Sequence, residues 1–292
     1  MNLNKKVIMF AGKGGVGKTT VSCAAAIHFA IRGEKTLIIS TDPAPSLSDI
    51  FEMKIGDIEK NVCKNLYALE LSSDEVLRLW RDEFGSEIYE VISSFVETEY
   101  GIVDYIGTAP GIDEEFMLYY IYELGKSGKY DKIIWDSAPM GHTIRLLNLP
   151  SQFIDHLSMA VKVYTKFNIK WGKRSIFDII HSWKTLAENI TEFLKNETEF
   201  VAVTIPENLS VMQTERLISE FVINNFNIKN IVINNVITDA CCEFHKKKML
   251  IQEKYIKQIT ETRDKFEIIK LPVFADEIKG VEKLKEVERI LF

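Results

Sequence analysis

The sequence predicts an α/β fold: a mostly parallel sheet flanked by helices, with a helical lobe built from two insertions. Three observations carry that prediction. Short apolar runs bounded by turn residues alternate with helical stretches, the pattern of parallel strands joined by crossover helices. A glycine-rich loop directly follows the first run. Two connections, about 72–129 and about 148–198, are too long for a single crossover helix, and both keep helical periodicity.

The runs are KVIMF (6–10), TLIIS (36–40), LYALE (66–70), KIIWD (132–136), FVAVT (200–204), NIVIN (230–234) and FEIIKL (266–271). Strands covered on both faces read as unbroken apolar runs because neither face meets water. In the second long connection, Phe153, Leu157, Val161, Tyr164 and Phe167 recur at helical spacing. Ile176, Ile179, Ile180, Trp183, Leu186 and Ile190 do the same, and each set makes one apolar stripe. Lys170-Trp171-Gly172-Lys173 between the two stripes predicts a break between helices. Residues 1–292 are read as a single domain with the helical lobe as its subdomain.

A net charge of −6 argues against a nucleic-acid binder, which usually carries a basic face. No apolar run reaches the length of a membrane span. The N-terminal apolar run is too short for a signal peptide. Four cysteines in 292 residues are too few for a disulfide framework. Together these predict a cytoplasmic protein.

The loop AGKGGVGKTT (11–20) fits G-x-x-x-x-G-K-[ST] through Gly12, Gly17, Lys18 and Thr19. Its context is a strand leading in and a helix leading out, which makes it a phosphate-binding P-loop. Glycines let the backbone wrap close to phosphates with the amides pointing inward, and the helix N-terminus favours the anion. Gly12, Gly14, Gly15, Val16, Gly17, Lys18, Thr19 and Thr20 are the candidate nucleotide-binding residues. Lys18 is expected to reach the β- and γ-phosphates, and the Thr19 hydroxyl to ligate Mg²⁺. Lys13 has no role in the ordinary motif. It is either a solvent-facing lysine or one that crosses a dimer interface to the partner's triphosphate, as an arginine finger does.

Asp42 follows the second strand, at the sheet edge where α/β folds bind ligands. A carboxylate there can orient or deprotonate the attacking water; an Asx turn before Pro43 is the plainer alternative. Asp136 closes an apolar strand and is placed to hold the Mg²⁺ shell. His142 is open between a γ-phosphate sensor and a packed histidine.

KGGVGKT resembles the deviant Walker A loop of a large ATPase group. Further blocks narrow the resemblance. STDPAPSLSDIF (40–51) and DSAPMGHTIRLL (136–147) resemble the switch I and switch II segments of the ArsA/GET family. PGIDE (110–114), IPENLSVMQTERL (205–217) and LPVFADEIKG (271–280) resemble further family elements in the same order. The resemblance implies a P-loop ATPase that hydrolyses ATP with Mg²⁺ in a nucleotide-gated homodimer. Members power arsenite pumps or deliver tail-anchored membrane proteins, the latter by capturing a hydrophobic transmembrane segment for a membrane receptor.

By the same resemblance Asp42 is the catalytic switch I aspartate. Asn234 contacts adenine with Pro272 and Val273 flanking the base, and Glu207 lies near the dimer interface. A polar turn residue and a surface glutamate are the alternatives for Asn234 and Glu207. The targeting members carry a CxxC that binds Zn²⁺ at the dimer axis; the matching positions here are Cys242 and His245. A lone C-x-x-H is weak evidence for zinc, and a solvated loop is the favoured alternative. No cysteine lies between residues 64 and 240, and there is a single phosphate loop, so the arsenite pump is the second choice. A client groove would be lined by Phe116, Met117, Tyr119, Tyr120, Met159, Val163, Phe167, Trp171, Ile176, Phe177 and Trp183. Ordinary helical core is the competing account of them.

Overall fold

A computed structural model of the chain describes residues 1–41, 46–138, 140–167, 176–261 and 265–292. Its elements in order are β1 (Val7–Ala11), α1 (Lys18–Ile31), β2 (Thr36–Ser40), α2 (Leu47–Phe51), β3 (Lys60–Cys63), β4 (Leu66–Glu70), α3 (Ser73–Ser93), α4 (Ile102–Gly107) and α5 (Ile112–Lys126). They continue with β5 (Lys132–Asp136), α6 (Met140–Phe167), α7 (Ile176–Asn196), β6 (Thr198–Thr204), α8 (Asn208–Ile223), β7 (Ile228–Val236), α9 (Glu243–Glu261), β8 (Glu267–Pro272) and α10 (Gly280–Leu291).

Among the described residues eight strands form one sheet in the order β3-β4-β2-β5-β1-β6-β7-β8, with β3–β4 antiparallel and the other pairs parallel. All seven apolar runs are strands. Each residue of β1, β2, β5 and β6 is buried, as expected of strands covered on both faces. β3 is the strand that periodicity does not announce. KNVC is half exposed and sits at the sheet edge, where nothing requires an apolar run. Against one face packs α1, which buries Val21, Ala24, Ala25 and Ile27 in a cluster with Ile8, Ile38 and Ile134 of the strands and Leu284, Val287 and Leu291 of α10.

The chain divides into two compact units. One holds the sheet and comprises Met1–Leu71, Gly125–Ile144 and Lys195–Phe292; the other comprises Ser72–Leu124 and Arg145–Leu194 and is helical. Within the helical unit α7 buries Ile176, Ile179, Ile180, Ala187 and Ile190, the stripe its spacing dictates. Ser72 caps α3 by accepting from the Glu75 amide at 3.3 Å. The expected helix break at Lys170–Lys173 lies outside the described residues, as does Trp171.

Candidate functional site

Register brings the site together. Phe10, Asp136, Ser40 and Glu70 pair across β1, β5, β2 and β4, so their strands end level at the carboxyl edge of the sheet. The phosphate loop follows β1 there. Gly17 has φ +91°, and a Cβ built on it would lie 2.3 Å from the Asn234 amide nitrogen. A Cβ on Gly12 would lie 2.2 Å from the Val203 carbonyl oxygen. These two positions admit only glycine, one for both conformation and space, the other for space.

Lys18 is buried, and its Nζ donates to the Lys13 carbonyl at 3.3 Å, folding back over the loop. Thr19 Oγ1 donates to Asp136 Oδ2 at 2.7 Å. A hydroxyl and a carboxylate held together beside a lysine are the hard oxygen donors that suit a magnesium ion. Asp136 itself is fixed through its neighbours: its carbonyl accepts from the Thr41 amide at 3.0 Å, and Trp135 Nε1 donates to Thr41 Oγ1 at 3.0 Å. The next residue, Ser137, donates from Oγ to the Phe10 carbonyl at 2.7 Å.

Asn234 sits under the loop. Its Nδ2 donates to the Val16 carbonyl at 2.9 Å and its Oδ1 accepts from the Asn235 amide at 2.8 Å. The amide therefore braces the loop from β7. Pro272 pairs with Val236 at the adjoining strand end, and the exposed Val273 donates its amide to the Val236 carbonyl at 3.0 Å. Glu207 is exposed at the N-terminus of α8 with no capping bond from its side chain. Lys13 is half-buried, and its side chain makes no ion pair among the described residues. Asp42 lies outside the described residues, and so does the side chain of His142.

One residue of this edge escaped the sequence reading. Glu70 Oε1 accepts from the amides of Ser46 and Leu47 at 2.7 and 3.0 Å, and its Oε2 from Ser48 Oγ at 2.9 Å. It thereby holds the start of α2, directly after the segment that carries Asp42. Two free amides at a helix start attract a carboxylate. The contact depends on β4 lying beside β2, which no local motif signals.

The cysteines separate by environment. Burial pushes the Cys23 thiol well up, and the Asp136 carboxylate adds to the shift. Burial also raises Cys63. Cys242 goes the other way: the His245 amide at the start of α9 lowers its thiol. Cys241 joins it, with Sγ 3.0 Å from His245 Nδ1, and the donor atoms of Cys241, Cys242 and His245 all lie within 4.8 Å of one another. The sequence reading paired Cys242 with His245 and left out Cys241.

The helical unit holds a half-open cavity of about 280 Å³ whose lining is almost wholly apolar. Phe84, Phe116 and Tyr119 pack on one another at centroid distances of 5.0 to 6.4 Å. Trp80 and Trp183 complete the aromatic wall. Glu115 lines the same cavity, and burial alone raises its carboxyl to about 7.

Comparison with known proteins fits this geometry. A family model described as anion-transporting ATPase, of the ArsA type, matches residues 5–292. The chain is 34% identical to the ATPase ASNA1 homolog 2 of Paramecium tetraurelia, over 99% of this chain and 94% of that protein. It is 33% identical to the ATPase GET3 of Podospora anserina, over 97% and 89% respectively. The figures for the ATPase ASNA1 homolog of Dictyostelium discoideum are 34%, 98% and 89%. With a phosphate loop, a buried lysine and a Thr–Asp pair at the carboxyl edge of an eight-stranded α/β sheet, the chain is an ATP-hydrolysing enzyme and belongs to the ArsA family of anion-transporting ATPases.

Proposed function

We propose that the chain works as a cytoplasmic homodimer whose ATP cycle captures the hydrophobic transmembrane segment of a tail-anchored client and releases it at a membrane receptor. The single observation that carries this reading is the apolar cavity and aromatic wall of the helical unit, combined with relatives named as ASNA1 and GET3 ATPases. No helix among the described residues is long and apolar enough to cross a membrane.

In this reading the loop amides and Lys18 hold the phosphates, while Asn234, Pro272 and Val273 receive the adenine. Magnesium would be held by Thr19 with Asp136 behind it, and would supply charge neutralisation on the phosphates. Asp42 orients the attacking water. Glu70, by pinning Ser46–Ser48, fixes the far end of the segment on which Asp42 rides. Lys13 reaches the partner's triphosphate, so turnover waits for dimer closure. Glu207 lies at that interface. Cys242 and His245, with Cys241 beside them, supply sulfur and nitrogen donors of the kind zinc takes.

The arsenite-pump alternative needs metalloid-binding thiolates. Cys23 is buried with its thiol raised, and no cysteine occurs in the helical unit. The test is capture of a tail-anchored segment by purified protein with ATP, with ADP and without nucleotide. Capture that depends on nucleotide supports the reading; nucleotide-independent or absent capture sinks it. Stimulation of ATPase turnover by arsenite would favour the pump instead.

A further inference from the structure

We propose that Trp135 is a positioning residue for ATP hydrolysis: its indole N–H holds Thr41, the residue before Asp42, against the end of the strand that carries Asp136, Asp42 being, as proposed above, the group that orients the attacking water. The register of β2 and β5 sets up the contact. Ile39 pairs with Trp135 and Ser40 with Asp136, so Thr41 is the first residue beyond the paired positions. Two bonds carry the contact on. The Thr41 amide donates to the Asp136 carbonyl at 3.0 Å, and Trp135 Nε1 donates to Thr41 Oγ1 at 3.0 Å. Thr41 is therefore gripped by backbone and by side chain from the last two residues of β5.

Packing alone does not require tryptophan at this place. Every residue of β5 is buried, and Trp135 has no solvent exposure. An all-carbon side chain would fill such a layer with no polar N–H to satisfy. Here the N–H is directed to Thr41. The strand that supplies it is itself a fixed reference. Asp136 Oδ2 accepts from Thr19 Oγ1 at 2.7 Å, and Ser137 Oγ donates to the Phe10 carbonyl at 2.7 Å, so the end of β5 is tied to α1 and to β1. The indole extends that frame across to β2. Glu70 holds Ser46, Leu47 and Ser48, four or more residues past Asp42, whereas Thr41 is its immediate neighbour. A displacement at Thr41 reaches Asp42 through one peptide unit, and a shift of about 1 Å in a catalytic group costs up to about a hundredfold in rate.

Three substitutions isolate the bond. Trp135→Phe removes the donor and keeps a ring, Thr41→Val removes the acceptor and keeps the shape, and Thr41→Ser keeps the hydroxyl. Trp135→Phe and Thr41→Val should each lower kcat about tenfold, while the ATP dissociation constant and the Mg²⁺ concentration for half-maximal turnover stay within about twofold. Thr41→Ser should retain most of the turnover. The double variant should be no slower than the worse single one, because both changes delete the same bond. Unchanged kcat with a lowered urea midpoint would make the bond merely structural and overturn the proposal. Multiplied losses in the double variant, or an equal fall in ATP affinity, would overturn it too. Should Trp135→Phe not fold, the contrast between Thr41→Val and Thr41→Ser decides alone, and equal turnover in the two sinks the proposal. Asp42→Asn separates this role from the reading beneath it. Lost turnover in Asp42→Asn with normal turnover in the Trp135 and Thr41 variants sinks the positioning role alone. Normal turnover in Asp42→Asn sinks the reading of Asp42, and the role with it.

Discussion

Two lysines, Lys13 and Lys18, sit in one phosphate loop. Lys18 folds back onto the Lys13 carbonyl and is buried, so its charge is committed to whatever the loop encloses. Lys13 keeps its side chain half-exposed. Lys18→Ala should weaken ATP binding at least tenfold in a calorimetric titration. Lys13→Ala should leave binding within about threefold and lower kcat by roughly a hundredfold or more, the scale of a charge supplied from a partner. Normal turnover in Lys13→Ala would mark it as an ordinary surface lysine. Gly17→Ala should abolish nucleotide binding, because its Cβ has neither an allowed φ nor space beside Asn234. The motif made Gly12, Gly17, Lys18 and Thr19 legible in the sequence, since the phosphate chemistry fixes their spacing. The brace from Asn234 to Val16 was not legible: it joins positions 218 residues apart and exists only because β7 and the loop share a sheet edge.

Among the elements, the strands were read correctly wherever burial on both faces forced an unbroken apolar run. Lys60–Cys63 failed that signal because an antiparallel edge strand answers to one neighbour and to water. The start of α2 illustrates the same limit. Its amides are satisfied by Glu70, a residue of β4 that no local motif announces. Glu70→Ala strands two amides and the Ser48 hydroxyl. It should cost roughly 1–2 kcal/mol in chemical denaturation and reduce kcat while the ATP dissociation constant changes little. Glu70→Gln, which keeps an acceptor, should recover part of both losses. Equal falls in kcat and ATP affinity would show that Glu70 acts on the loop as a whole instead.

For the whole molecule, the acid in the helical cavity sets a pH dependence of stability. Burial raises the folded carboxyl of Glu115 to about 7, above its ordinary value of 4.5, so the folded state holds its proton more tightly than the unfolded chain. Its penalty is absent below pH 4.5, grows as pH rises, and is complete above about 7. Glu115→Gln should therefore stabilise the protein by roughly 2–3 kcal/mol at pH 8 and by almost nothing at pH 4.5, read from urea midpoints at the two pH values. A pH-independent difference would mean that the carboxyl reaches solvent. The strand order carries a consequence for synthesis. β1 lies between β5 and β6, so Val7 pairs with Ile133 on one side and Thr198 on the other. β1 leaves the ribosome before both of its neighbours and is flanked on both sides only once β6 follows, on the order of ten to forty seconds later at ordinary elongation rates. Through that interval an apolar segment that carries the nucleotide loop waits with open edges.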